Sequence, residues 1–324
     1  MRILTAALSA LLLVACADAR DPGPGSASSS MVTPDRARGL ETFTSDATGF
    51  DTHSFWLDTG REVVVFDAQF TEGYASQLIA EIRAKTASPI RWVVVTHPNP
   101  DKFNGASAFQ KIGARVVASE STARAIPGVH AYKKGYFVNV AHAFTEATYP
   151  AQARIDVTFR GDLDLPLEGA TKVRLHELQH AGVSSTQTVA FVPQLDALVV
   201  GDLVHHGAHA WLEGGIVDGK PAPDLASWAL ALDELRAYEG ATVYGGRGTQ
   251  TTVDAAVTEQ KAYLARMNEI VTRYVAEHGA AGANGKAITA LAKEAYPDHA
   301  LPYLIEYGVY GLVAAVGHDG RASR

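Results

Sequence analysis

Two short segments of the chain concentrate polar side chains that could bind a metal ion or transfer a proton. The first reads His97-Pro98-Asn99-Pro100-Asp101-Lys102; the second begins Gly201-Asp202 and contains His205, His206 and His209. Imidazoles and carboxylates serve as metal ligands and as general acids or bases. Lys102, and Arg247 further along the chain, could instead stabilise an oxyanion with fixed positive charge. These residues are the candidate functional groups.

Each polar segment follows a run of residues that is typical of a buried strand. The apolar run 92–95 precedes the first segment, 197–200 precedes the second, and 242–244 precedes Arg247. Between strand candidates, 72–85 carries apolar residues at the spacing of one helical face. Strands interleaved with helices predict an α/β domain whose helices pack outside its sheets.

The aromatic segment from about 128 to 150 is interpreted as an irregular insertion over a cleft, because long loops inside compact domains are usually functional. Its residues His130, Tyr132, Lys133 and Lys134 either line that cleft or form an exposed aromatic and basic loop.

On these motifs the chain resembles the metallo-β-lactamase superfamily, whose hallmark is a His-x-His-x-Asp-His loop after a buried strand. Upstream, Val65-Phe66-Asp67-Ala68 resembles the strand that ends in a structural aspartate, and downstream 198–202 resembles the strand that ends in Gly-Asp. The resemblance covers about 40–250. It implies a four-layer αββα sandwich with the active site along one edge of the facing sheets, and it leaves 251–324 as a helical C-terminal extension.

The same resemblance implies zinc as the cofactor, but it places unusual residues at the ligand positions. The first zinc position falls to His97, Asn99 and His180, and asparagine is a poor zinc ligand. The second falls to Asp101, Lys102, Asp202 and Arg247. A unit cation about 4 Å from a dication costs about 8 kcal/mol at an effective dielectric near 20. We therefore expect one zinc ion or none, with His205, His206 and His209 as possible further ligands or as ordinary surface or hydrogen-bonded histidines.

Two functions remain open for such a site. In the first, the protein hydrolyses an ester, lactone or amide bond: Asp101 activates water, and Lys102 and Arg247 stabilise the oxyanion. In the second, salt bridges inactivate the catalytic site, and the cations capture an anionic small molecule. Fold alone does not decide between them.

The N-terminus and the overall charge indicate where the protein acts. Residues 1–15 read as a secretory signal, and Leu13-Val14-Ala15-Cys16 resembles a bacterial lipobox in which Cys16 is lipidated. A cleaved signal with an incidental cysteine is the alternative. Residues 16–39 form a predicted flexible tether, and Ala17 favours the outer membrane with the protein facing the periplasm. A net charge of −7 without a basic run excludes nucleic acid as a partner.

Overall fold

The structure of the protein, a computed structural model, describes residues 39–322. The predicted signal peptide, Cys16 and nearly all of the predicted tether lie outside the described residues. The strands are β1 (Glu41–Thr44), β2 (His53–Asp58), β3 (Val63–Phe66), β4 (Ile90–Val94), β5 (Arg115–Ser119), β6 (Val157–Phe159), β7 (Asp162–Asp164), β8 (Arg174–Glu177), β9 (Thr188–Val192), β10 (Ala197–His206), β11 (Gly215–Val217), β12 (Lys220–Ala222), β13 (Thr242–Gly248) and β14 (Thr251–Thr252).

Nine α-helices connect and cover these strands within residues 39–322. They are α1 (Glu72–Lys85), α2 (Pro100–Phe103), α3 (Ala106–Lys111), α4 (Glu120–Asn139), α5 (Leu225–Glu234), α6 (Val253–His278), α7 (Gly285–Ala295), α8 (Tyr303–Gly308) and α9 (Tyr310–Ala322). The bounds of α1 are those that its apolar spacing predicts. None of the helices in this part of the chain is long and apolar enough to cross a membrane.

The larger strands form two six-stranded sheets. The first has the order β1-β2-β3-β4-β5-β6 and is parallel from β3 to β6. The second has the order β14-β13-β10-β9-β8-β7, with β10 and β13 parallel and the other neighbours antiparallel. The parallel strands end toward one edge, so loops after β3, β4 and β13 can supply residues to a common site.

Alternating side chains divide the core into three layers. In β3, Val64 and Phe66 pack between the sheets, whereas Val63 and Val65 pack outward against α1 and α3. The outer face of the second sheet packs on α5 to α9, where Trp228 is among the buried residues. This is the αββα sandwich with a C-terminal helical region that the sequence predicts, and the fold prediction is confirmed.

Two segments differ from the sequence expectations in ways that affect the site. The 128–150 segment is not irregular throughout, because α4 continues to Asn139 despite Pro127. The strand predicted to end near residue 200 continues as β10 to His206, with irregular pairing to β13 at Gly201. Asp202 and His205 therefore lie on a strand, and Arg247 lies on its neighbour β13 in register with His205.

Candidate functional site

The charged residues of both sequence segments meet at one edge of the sandwich. They come from the residues after β3 and β4, from α2, and from the adjacent strands β10 and β13: Asp67, His97, Asp101, Lys102, Asp202 and Arg247. All six are buried. Ionised groups are seldom fully buried unless paired, so the pairing among them determines what the site can do.

Lys102 is the buried centre of this group. Its Nζ lies 2.9 Å from Asp101 Oδ2, 2.7 Å from Asp202 Oδ1 and 3.9 Å from Asp67 Oδ2. The side chain has no exposed area, and its Nζ makes no hydrogen bond of standard geometry within the described residues. Lys102 therefore holds two carboxylates through charge, from beneath the surface of the site.

Arg247 joins the same two carboxylates from the other side. Its Nη1 donates to Asp202 Oδ2 at 2.5 Å, and its Nη2 donates to Asp101 Oδ2 and Thr52 Oγ1 at 3.0 and 2.9 Å. Its Nε donates to the Phe50 carbonyl at 2.8 Å. Four of its five N–H donors are thus used, which fixes the guanidinium plane.

The pKa values follow from this pairing. Burial opposes the charge on each carboxylate, but Lys102 and Arg247 outweigh it, lowering the pKa of Asp101 to about 2 and holding the pKa of Asp202 well below its usual value. Burial likewise opposes the charge of Lys102 and Arg247, and the two carboxylates raise both pKa values. The four groups are therefore charged at neutral pH.

His97 lies beside this network and retains a free ring nitrogen. The Thr96 hydroxyl donates to Asp67 Oδ2 at 3.0 Å and lies 2.9 Å from His97 Nδ1. Because that hydroxyl donates its single proton to Asp67, we assign a hydrogen to His97 Nδ1, which donates it to the Thr96 hydroxyl oxygen. His97 Nε2 has no hydrogen-bond partner among residues 39–322 and lies 3.6 Å from Asp202 Oδ2. Burial raises the pKa of Asp67 to about 6, although nearby Lys102 opposes the shift.

Two glycines make the close approach of these strands possible. A Cβ on Gly201, which has a φ of 52°, would lie 2.4 Å from Thr96 Oγ1. A Cβ on Gly246 would lie 1.9 Å from Asp202 Oδ1 and displace that carboxylate. Glycine is therefore required on both sides of Asp202 for the ion pairs to form.

A cleft of about 400 Å³, open to solvent, lies over the paired charges. We call it the site cleft; its lining residues are Phe50, Phe70, Asn99, Pro100, Asp101, Lys133, Phe137, Asp202, Trp211 and Arg247. Its floor is polar and its walls are largely aromatic, with the rings of Phe50 and Phe70 in edge contact at 5.0 Å. This combination is typical of small-molecule sites, which are mostly apolar with a few placed polar groups.

Helix α4 forms one wall of the site cleft and is held to the opposite loop by an ion pair. Lys133 pairs with Glu213, and its Nζ lies 4.9 Å from the centre of the Trp211 ring. Trp211 Nε1 donates to the same Glu213 carboxylate at 2.9 Å. Of the two interpretations of the 130–134 stretch, the structure therefore favours the cleft for Lys133.

The remaining sequence candidates lie in different places. Asn99 lines the site cleft, and its side chain makes no hydrogen bond within the described residues. His180, predicted as a third zinc ligand, instead bonds Glu234 through Nδ1 at 2.8 Å. The resemblance placed His180 at the site although Ala181 to Ser185, which follow it, replace the usual run of the family loop.

The three histidines after Asp202 make separate contacts. Burial lowers the pKa of the His205 imidazole to about 3, and neither of its ring nitrogens has a hydrogen-bond partner within the described part of the chain. His206 bonds Thr249 at 2.8 Å and pairs with a glutamate of α6. His209 lies against Tyr263, with Nδ1 3.1 Å from its hydroxyl.

Several functional positions carry no sequence signal. Thr52 bridges Arg247 and Asp101, and the Phe50 carbonyl binds Arg247, yet both belong to a turn without a recognisable motif. Phe50 and Asp51 have φ values of 66° and 49°, which non-glycine residues rarely adopt. Tyr303, from the C-terminal helices, donates to Asp51 at 2.7 Å and supports this turn. Tyr303 and Asp51 are 252 positions apart in the sequence, so only the folded structure identifies them as partners.

Comparison with known proteins agrees with the architecture. The sequence profile described as the metallo-beta-lactamase superfamily matches residues 47–247. Since this match spans more than half of the chain, the protein belongs to the metallo-β-lactamase superfamily. No curated protein sequence gives a significant match.

Solved structures show the same fold at low sequence identity. A metallo-beta-lactamase from Pontibacter korlensis is 23% identical, with a TM-score of 0.52, over 70% of this chain and 93% of that one. The lactamase TMB-1, whose structure was described in relation to substrate and inhibitor binding, is 18% identical, with a TM-score of 0.50, over 71% and 98% of the two chains. At such identities the likeness establishes the fold alone.

Members of this superfamily commonly bind zinc, but the residues present here do not fit such a centre. Within residues 39–322 no three His, Cys, Asp or Glu side chains converge as metal ligands. The carboxylates that could ligate an ion instead contact Lys102 and Arg247 at 2.5 to 3.0 Å. A dication beside two paired cations is strongly disfavoured.

Proposed function

We propose that the protein binds a small organic molecule in the site cleft, and that paired cations rather than metal ions organise the cleft floor. The observation that carries this proposal is the position of Lys102 Nζ, which lies 2.9 and 2.7 Å from the two carboxylates of Asp101 and Asp202. Lys102 and Arg247 thereby keep the floor rigid beneath an aromatic-walled cleft. Such a floor is preorganised for binding without a metal.

The chemistry of the floor favours binding over efficient catalysis. Lys102 has no exposed side chain and cannot touch a substrate in the cleft. Arg247 has one N–H left after its four hydrogen bonds, which limits its use as an oxyanion donor. Asp101, with a pKa of about 2, is a weak general base at neutral pH.

Fragment screening by protein-observed NMR tests binding at this site. We expect hits to shift the Trp211 indole signal, and to shift it equally with and without EDTA. Phe137→Ala, in the cleft wall, should weaken the hits about tenfold, because about 1.4 kcal/mol of contact is lost. The control Val140→Ala changes a residue that is 66% exposed near the end of the same helix and should leave binding unchanged. Hits that depend on added zinc would contradict the proposal.

Hydrolysis of an ester, lactone or amide is the second candidate function. Membership in the superfamily favours this function. So does Asp101, because its contacts with described residues are all made by Oδ2, which leaves Oδ1 to orient a water molecule. Initial rates on p-nitrophenyl acetate in the presence of EDTA test this candidate. Asp101→Asn should lower the rate about 100-fold if Asp101 orients the water. Equal rates for the variant and the wild type would leave binding as the function.

For the N-terminus we propose lipid anchoring at Cys16, with the protein held at the outer membrane and facing the periplasm. The support is the sequence Leu13-Val14-Ala15-Cys16 after an apolar signal. Cys16→Ser should abolish labelling by a radioactive palmitate donor and release the protein into the soluble fraction. Unchanged labelling and fractionation would support the ordinary cleaved signal instead.

A further inference from the structure

We propose that the occupant of the site cleft is an uncharged molecule with an aromatic body and one amide or hydroxyl group. This inference rests on the binding function proposed above and names the ligand class. It replaces the sequence-based expectation of an anionic ligand, which assumed that Lys102 and Arg247 carry unpaired charge.

The charges that line the site cleft are balanced and already paired. The lining contains two carboxylates, Asp101 and Asp202, and two cations, Lys133 and Arg247. Lys102 lies behind the carboxylates, and Glu213 neutralises Lys133. A charged ligand would lose its hydration on entering the cleft without meeting an unpaired counter-charge.

Charges behind the floor do not favour an anion either. Asp67 lies 3.9 Å from Lys102 and is an additional acid on that side. The imidazole of His97 faces Asp202 at 3.6 Å rather than the cleft, and neither His97 nor Asp67 is among the lining residues. Neither group therefore provides an anion with a contact.

Two hydrogen-bonding positions at the cleft floor remain available to an uncharged ligand. Within the described residues the Asn99 amide makes no capping hydrogen bond to α2, so it offers the cleft both a donor and an acceptor. Asp101 Oδ2 receives Thr52 and Arg247 and contacts Lys102, whereas Oδ1 has no partner within the described residues. A ligand amide or hydroxyl can donate to Asp101 Oδ1 and accept from Asn99 without carrying charge.

The walls of the cleft determine the rest of the ligand. Phe50, Phe70, Phe137 and Trp211 surround the opening, and Phe50 lies 5.0 to 6.2 Å from the other three ring centres. Edge-to-face packing at such distances favours another aromatic ring.

Three probes of similar size separate the possible ligand classes. Phenylacetamide is neutral, phenylacetate is an anion and phenethylamine is a cation, and all three carry the same ring on a short chain. Dissociation constants at pH 7 are measured by NMR titration of the full chain. We expect phenylacetamide to bind at least tenfold more tightly than either charged probe.

Two variants test the physical basis of this preference. Asn99→Ala should reduce phenylacetamide binding about tenfold, whereas Asn139→Ala, at an exposed position of α4, should not change it. Glu213→Gln retains the acceptor for Trp211 but leaves Lys133 without its carboxylate. This variant should raise phenylacetate affinity about tenfold, because the cleft then has an unpaired cation.

The outcomes separate the ligand class from the binding function itself. Tighter binding of phenylacetate or phenethylamine to the wild type would overturn the uncharged ligand while retaining a binding cleft. An unchanged phenylacetate affinity in Glu213→Gln would also overturn the charge-balance argument. If none of the three probes binds at millimolar concentration, the proposed binding function fails and the ligand class with it.

Discussion

Replacing Lys102 by methionine removes the buried cation that contacts Asp101 and Asp202. Methionine nearly preserves the volume of the side chain, so the change is chiefly electrostatic. The two carboxylates would retain Arg247 as a shared cation. We expect the site to remain folded and the free energy of unfolding to fall.

The contacts set the size of this fall. At 2.7 and 2.9 Å and an effective dielectric near 20, each pair contributes an attraction of about 6 kcal/mol. The cost of burying the ions offsets most of that attraction, and removing one member of a buried pair costs about 3–5 kcal/mol. The expected loss for Lys102→Met is therefore about 3–5 kcal/mol.

Urea denaturation at pH 7, followed by tryptophan fluorescence, measures this loss. The control Lys111→Met removes an ion pair of 2.6 Å with Glu72, but its side chain is 66% exposed, so its loss should stay below about 1 kcal/mol. Adding Asp202→Asn to Lys102→Met should recover part of the stability, because the unpaired charge is also removed.

Two results would refute the reasoning. A loss for Lys102→Met no larger than that for Lys111→Met would show that the buried pairs do not hold the site. A large loss of wild-type stability on treatment with EDTA would show that a metal ion, rather than Lys102 and Arg247, holds the carboxylates together.

Three further predictions concern acid stability, the C-terminal support and metal binding. Burial lowers the pKa of His205 from 6.5 to about 3 in the folded state. Between these two values the unfolded state binds more protons, so the free energy of unfolding decreases as the pH is lowered. The loss is about 2 kcal/mol between pH 7 and pH 5, and His205→Leu should remove it from urea titrations. Tyr303→Phe should cost about 1–2 kcal/mol and weaken cleft binding, because Asp51 loses its donor. We expect the wild type to bind at most one zinc ion. The triple variant Asn99→His, Lys102→His, Arg247→His should bind zinc more tightly than the wild type, as measured by calorimetry.

Each of these has its own contrary outcome. An unchanged pH slope in His205→Leu would mean that folding does not lower the pKa of His205. Tyr307→Phe, at a residue that is 53% exposed, is the control for Tyr303→Phe, and equal effects would remove the supporting role of the C-terminal helices. A triple variant that folds without gaining zinc would show that these positions do not have the geometry of metal ligands.

The sequence by itself determined the fold and the identity of the charged residues. The unbroken apolar run from Val63 to Phe66 requires two buried faces, and the helical spacing at 72–85 fixes α1, because both patterns are local. The resemblance to the superfamily placed Asp101 and Asp202 at one metal position, together with Lys102 and Arg247. Pairing of these two cations with the carboxylates was one of the alternatives that the sequence left open.

Only the tertiary structure decided how those charges are shared. Separate pairs of Asp101 with Lys102 and of Asp202 with Arg247 fit the sequence equally well, whereas in the fold each cation contacts both carboxylates. This sharing depends on the approach of strands from different sheets, which no local pattern records. For the same reason, side-chain packing across 195 sequence positions brings Arg247 to Thr52. The balance of charge at the cleft is therefore a property of the fold.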